Sequence, residues 1–276
     1  LAARALAFLP WSADPLLWWL GGALAMLATG ERRRWAASHQ RQARGAAKHD
    51  LRILRWTLEA YVSYARYYVD MLRSLSDRAS LLTRVDAVGH DAYLERAARG
   101  EGVIIALAHV GNWDLAGAWA HAVGAPVVAV AERLAEPEVT AFFDRLRDVL
   151  GIDVVEPGAR GTRLLLRTLR EGGRVALVVD RDVTGSGRLG TLFGREVPVA
   201  AGPAVLAVLA DVPVLPAACY QLPGRRHLIR VWPPIEPPRQ GSREERIAVV
   251  HRAVVAALEE QIALAPSQWH NLVPGL

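Results

Sequence analysis

The sequence is almost empty of cysteine and lysine. Its 276 residues hold one of each, Cys219 and Lys48. A lone cysteine excludes an internal disulfide and any cysteine-rich zinc site. Its setting, "VLPAACYQ", reads as a buried strand, where a thiol serves packing rather than nucleophilic attack. No G-x-S-x-G elbow is present to supply a serine nucleophile instead. The "TGSG" stretch, Thr184 to Gly187, lacks a Walker lysine and reads as a flexible loop rather than a phosphate cradle. Zinc-finger spacings, RNA-recognition signatures and long basic tracts are missing, which sets nucleic acid aside as a partner. Apolar runs are also short. The longest, Pro15 to Thr29, falls below the roughly 20 residues of a bilayer-spanning helix, and its flanks are a poor match to a signal peptide.

What is present is apolar and arginine-rich. Hydrophobic residues make up 52% of the chain and charged ones 22%, enough to bury a substantial core and too apolar for a disordered protein. The formal charge of +5 is carried by arginine, whose planar fork suits phosphate and keeps its charge at an apolar boundary. An anionic partner is expected: a phospholipid surface, a phosphate-bearing cofactor or an acidic carrier protein. Trp11, Trp18 and Trp19 lie among apolar residues near the start, and "ERRR" follows at Glu31 to Arg34. Aromatics beside arginines suit a lipid headgroup layer; a pair of helices completing the core is the alternative.

Periodicity divides the chain. Residues 1–80 read as helical, with Leu51, Leu54, Leu58, Val62, Ala65, Val69 and Leu72 at three- and four-residue spacing. Beyond them, short β-branched runs ("GVIIALA", "PVVAVA", "IDVVE", "RVALVVD", "VPVLPAACYQ", "RHLIRVWPP") alternate with helical stretches, and a long amphipathic helix closes the chain. Continuous apolar strands between helices predict an α/β fold with a mostly parallel sheet covered on both faces. The expected organisation is an N-terminal apolar, membrane-facing helical segment over 1–45 and a single α/β domain over 46–276.

Ligands of such sheets bind beyond the carboxyl ends of the strands. "VIIALAHVGNWD" brings His109 to one such edge. Gly111 permits a sharp turn, and Asn112 or Asp114 can cap the next helix. The spacing of His109 and Asp114 is itself weak evidence, because chance supplies such pairs; the strand–turn–helix context gives it meaning. A histidine with a carboxylate on its second nitrogen suits general-base work near neutral pH. A base without an enzyme nucleophile implies that the substrate supplies its own, a hydroxyl, as in group transfer. Further edges carry Glu132 with Arg133, and Asp180, Arg181 and Asp182. The two aspartates lack a third acid or histidine pair nearby, so no metal is expected. Arg147 lies on an amphipathic helix and reads as solvated or as stabilising a carboxylate.

In order along the chain, "HVGNWD" (His109 to Asp114), "AERL" (Ala131 to Leu134), "DRD" (Asp180 to Asp182), "LFGREVPVAAGPA" (Leu192 to Ala204) and "SQWHNLVP" (Ser267 to Pro274) resemble the bacterial lipid A biosynthesis acyltransferases, within the lysophospholipid acyltransferase group. The branch looks like the actinobacterial phosphatidylinositol mannoside acyltransferases. The resemblance implies an enzyme that moves a long acyl chain from acyl-CoA or acyl carrier protein to a glycolipid hydroxyl. It implies no permanently bound cofactor, and attachment to the cytoplasmic face of the plasma membrane. His109 would then be the general base, with Asp114 and Asp182 as catalytic acids of the two motifs. Glu132, Arg147, Asp180, Arg181 and Asn112 would be substrate-positioning groups. Either Asp114 or an acid of the "DRD" edge would touch His109. Lipid A members often carry Gln where Arg181 stands, a departure that favours the mannoside branch.

Overall fold

The computed structural model describes Leu6 and residues 9–131, 136–182 and 185–274. The N-terminal part is helical, as the periodicity predicts. Helix α1 (Asp14–Ala28) begins with Asp14 and Pro15, both favourable in a first turn, and α2 (Gly30–Ala43) follows after Thr29. Helix α3 (Arg52–Leu82) is long but interrupted: Asp77 leaves helical geometry and its carboxylate accepts the Ser80 amide, restarting the last turn. Helices α1 and α3 lie antiparallel. Gly22 meets Val62, and at the far end Asp14 and Arg73 form a buried ion pair of 2.6 Å.

The sheet has seven strands in the order β1-β9-β8-β2-β5-β3-β4. These are β1 (Val85–Val88), β2 (Val103–Leu107), β3 (Val128–Val130), β4 (Asp153–Val155), β5 (Arg174–Val178), β8 (Val214–Gln221) and β9 (His227–Val231). β2, β3, β4, β5 and β8 run parallel, and β9 turns back antiparallel to β8. The two faces are covered by different helices. From β2, Ile104 and Ala106 join the core of α7 (Ala159–Arg170), α8 (Gly202–Ala210) and α9 (Arg243–Leu264). Val103, Ile105 and Leu107 join that of α3, α4 (Asp91–Ala98), α5 (Trp113–Ala122) and α6 (Pro137–Leu150). Burial on both faces is why "VIIAL" is apolar throughout instead of alternating.

The expected α/β class and mostly parallel sheet are found, and the six strand runs read from the sequence are all strands. Three elements escaped that reading. β1 and α4 are short, four and eight residues, too few to set a period apart from chance. The hairpin of β6 (Arg188–Leu192) and β7 (Arg195–Val199) turns through Phe193 and Gly194, both at positive φ, the geometry of a tight two-residue turn. Its "FG" lacks the usual Asn-Gly or Asp-Gly signal. Among the described residues no helix is long and apolar enough to cross a membrane.

The α1–α3 contact admits no side chain at Gly22, where an added Cβ would stand 2.6 Å from Val62 Cα and 2.9 Å from the Tyr61 carbonyl carbon. Both are backbone, so neither can swing aside. Gly22→Ala is therefore expected to cost about 1–3 kcal/mol through overpacking, read as a lowered thermal midpoint. Gly30→Ala, with open space around it, is the matched control and should leave the midpoint nearly unchanged.

Candidate active site

Strand register builds the site. β2 and β5 pair with Leu107 opposite Val178. Two residues further along each chain stand His109 and Asp180, and their side chains meet, Nδ1 to Oδ1, at 2.5 Å. Asp180 is buried while His109 keeps partial exposure. The second Asp180 oxygen accepts the indole N–H of Trp269 at 2.7 Å. Burial alone would raise the Asp180 pKa; the adjoining His109 and the donors from His109 and Trp269 outweigh it and hold the carboxyl below its ordinary value. An ionised Asp180 accepts from Nδ1–H, which fixes the tautomer and leaves Nε2 as the basic nitrogen. The Trp113 ring stands edge-on to the imidazole at 5.0 Å.

Asp114 does different work. Its Oδ2 accepts the Tyr67 hydroxyl at 2.5 Å and its Oδ1 the Arg147 guanidinium at 3.3 Å. The carboxylate thus joins α3, α5 and α6, and Tyr67 stacks on Trp113 with ring centroids 4.5 Å apart. Burial, then the neighbouring Asp114 charge, keep the Tyr67 hydroxyl protonated. Of the acids considered for His109, Asp114 and the two of the "DRD" edge, it is Asp180, expected as a substrate-positioning group, that meets the imidazole. Asn112, expected to touch substrate, is a buried helix cap: its side chain accepts the Leu115 amide at 3.1 Å. The turn before it needs Gly111 at φ 64°, where a Cβ would fall 2.1 Å from the Cys219 carbonyl oxygen. The Gly111 and Asn112 amides donate to Gln268 O and Cys219 O. The opening amides of α5 are what that turn offers instead.

The segment before the C-terminus closes the site from behind. Gln268 exchanges hydrogen bonds with the Gln221 backbone, and the His270 amide donates to His109 O at 2.8 Å. The sequence singled out "SQWHN" without assigning Trp269 or Tyr67 a role, because nothing local marks a tryptophan as a donor to an acid 89 residues away.

His109 opens into a cavity of about 690 Å³. Beneath α5 its wall is apolar, formed by Ile105, Leu107, Ala116, Ala120, Leu215 and Ile229; the rest mixes apolar residues such as Leu165 and Val205 with polar Arg147, Arg181, Thr162 and Ser186. Asp182 accepts the Gly187 amide at 2.7 Å and closes the loop after β5. Glu132 and Arg133 lie outside the described residues. Cys219 is fully buried on β8, and burial pushes its thiol up, as "VLPAACYQ" predicts.

A family model described as bacterial lipid A biosynthesis acyltransferase matches residues 52–275. Among curated proteins, a phosphatidylinositol mannoside acyltransferase of Mycolicibacterium smegmatis is 30% identical over 77% of this chain and 69% of its own length. Two of that name from Mycobacterium tuberculosis, strains CDC 1551 and H37Rv, are each 32% identical over 77% of this chain and 67% of theirs.

The site's histidines make stability acid-sensitive. Burial holds His270 neutral, its pKa lowered to about 3, and burial also lowers His39 and His251. Below the unfolded value of about 6.5 the unfolded chain binds protons that the folded chain refuses, so stability falls as pH drops from there toward 3. The thermal midpoint should decline over this range, and His270→Gln should decline less steeply. Equal slopes would remove His270 from the account.

Proposed function

The chain belongs to the bacterial lipid A biosynthesis acyltransferase family and is an acyltransferase, and on that premise we propose that it transfers a long acyl chain from a thioester, acyl-CoA or acyl carrier protein, to a mannose hydroxyl of phosphatidylinositol mannoside. The observation that carries the reading is the His109–Asp180 pair at the junction of an apolar cavity wall and an arginine-bearing one. His109 Nε2 takes the proton of the acceptor hydroxyl as its oxygen attacks the thioester carbonyl. The tetrahedral intermediate then expels the thiolate, and the imidazolium returns the proton to the departing sulfur. Asp180 stays ionised and steadies the imidazolium, and no bond to the enzyme forms. Developing oxyanion charge faces the N-terminus of α5, whose dipole and opening amides favour it. The apolar limb beneath α5 suits the acyl chain, while Arg147 and Arg181 suit phosphate on donor or acceptor. The mannoside names of the three relatives support the acceptor, as does a basic balance facing an anionic glycolipid.

The membrane part of this reading rests on α1. Leu16, Trp19, Leu20, Leu24 and Leu27 are each more than half exposed, and exposed Arg32 and Arg34 follow at the start of α2. An apolar helix face beside arginines is suited to lie in the headgroup layer of an anionic leaflet without crossing it. The cytoplasmic face of the plasma membrane, where acyl-thioester donors are made, is the proposed location.

One experiment separates the parts. The protein is given acyl-CoA with phosphatidylinositol mannoside, lysophospholipid or a lipid A-like saccharide, in anionic vesicles or dispersed in detergent, and products are read by mass spectrometry. Acylated mannoside is expected in both media. His109→Ala should abolish it with the fold retained, and Leu20→Asp/Leu24→Asp should lose the vesicle reaction alone. Acylation of lysophospholipid only would overturn the acceptor; wild-type turnover by His109→Ala would overturn the mechanism.

A further inference from the structure

Asp180 is buried, ionised and held by a donor on each oxygen. One donor is the base itself. The other, Trp269, is 1% exposed and sits on the six-residue stretch Pro266–Asn271, gripped from behind by α2. The grip is specific. His39 Nδ1–H donates to Asn271 O at 2.7 Å, Gln40 Nε2 to Pro266 O at 2.8 Å, and Arg44 Nη2 to Ser267 Oγ at 2.7 Å. The His39 ring lies against the indole, centroids 5.0 Å apart. On its front, the same stretch bonds to the His109 loop through Gln268 O and the His270 amide. Trp269 therefore stands between α2 and the carboxylate that meets His109.

We propose that Trp269 is a positioning residue of the acyl transfer: its indole N–H locks the Asp180 carboxylate so that the other oxygen meets His109 Nδ1, and α2 holds the indole in place through His39. A carboxylate bound through one oxygen only is free to rotate about its last torsion, and a base oriented by a rotating acid spends part of its time misdirected. Fixing the second oxygen removes that freedom, and the geometric tolerance of a catalytic base is small. The N–H also contributes to keeping Asp180 ionised. The other titratable groups set toward Asp180 are His109 at the end of β2, His39 on α2 and His270, the last neutral and buried. Arg181 adjoins it in the chain. Of the two bonded donors, Trp269 is the one that does not itself titrate.

The inference rests on His109 acting as the base, so wild-type activity is established first; its absence would overturn that reading and leave Trp269 without a reaction to assist. Trp269→Phe keeps a ring and removes the donor. A benzothienylalanine at position 269 keeps the whole outline and replaces N–H by sulfur, which guards against misfolding of the phenylalanine variant. With acyl-CoA and a saturating acceptor, kcat should fall about 10- to 100-fold, the range for losing one hydrogen bond to a charged group. KM for the donor should stay within about twofold of wild type. Loss of a donor that lowers the Asp180 pKa lets it protonate sooner, so the acidic limb of the pH–rate profile should move to higher pH. Without substrate, the low-field Nδ1 proton of His109 in the NMR spectrum should shift or broaden in both variants. Wild-type kcat in the benzothienyl protein, or a loss of activity with the acidic limb and the Nδ1 resonance unmoved, would overturn the proposal.

Discussion

The hydrogen bond between His109 and Asp180 depends on a register that nothing near either residue states. Leu107 opposes Val178 in the β2–β5 pair, and two more steps along parallel strands bring an imidazole and a carboxylate from separate parts of the chain into contact. A buried carboxylate is tolerable only when its charge is matched by donors. That requirement governs the back of the site. Trp269 must lie against Asp180, the segment carrying it must be held, and α2 must hold it. The edge of a sheet becomes a rigid site because one buried charge would otherwise lack partners.

The polar groups then fall into two sets. Asp180 and Trp269 form a hydrogen-bonded chain behind the His109 ring. Asp114, Tyr67 and Arg147 fix the wall against which the base stands, tying α5 to α3 and α6 and setting Trp113 beside the imidazole. Both acids serve the same histidine, one by contact and one by shaping the room around it. The cavity follows from this division, with apolar wall where β2, β8 and β9 face α5 and arginines at its polar side. The match over residues 52–275 makes the chain an acyltransferase, and the mixed lining suits the acyl chain and phosphate of the proposed reaction.

Much of this was legible in the residues, for identifiable reasons. Strands buried on both faces announce themselves as continuous apolar runs, so the sheet and its parallel character were readable from "VIIALA", "RVALVV" and "VPVLPAACYQ". The place of His109 at the sheet edge, where it lines the cavity, was readable because a polar residue ending such a run stands where these sheets bind ligands. Its partner was not, because proximity in sequence favours Asp114 while register favours Asp180, and register is a tertiary fact. Of the two caps the turn offered, Asn112 is the one whose side-chain oxygen takes the role. Trp269 was invisible as a donor, since tryptophan in an apolar chain reads as core. The β6–β7 hairpin was missed because its turn uses Phe193 at positive φ, where sequence leads one to expect Asn or Gly.

On the proposed mechanism Asp180, and not the aspartate of the His109 motif, orients the base. Steady-state kinetics of Asp180→Asn and Asp114→Asn, under one set of donor and acceptor concentrations, tests it most directly. An asparagine at 180 can present its amide to Nδ1 and stabilise the wrong tautomer, so kcat should fall about 10²- to 10⁴-fold, near the full worth of a general base. Asp114→Asn keeps an acceptor for Tyr67 and should lose markedly less. A larger loss at Asp114 than at Asp180, or an Asp180→Asn protein within about twofold of wild type, would contradict the account.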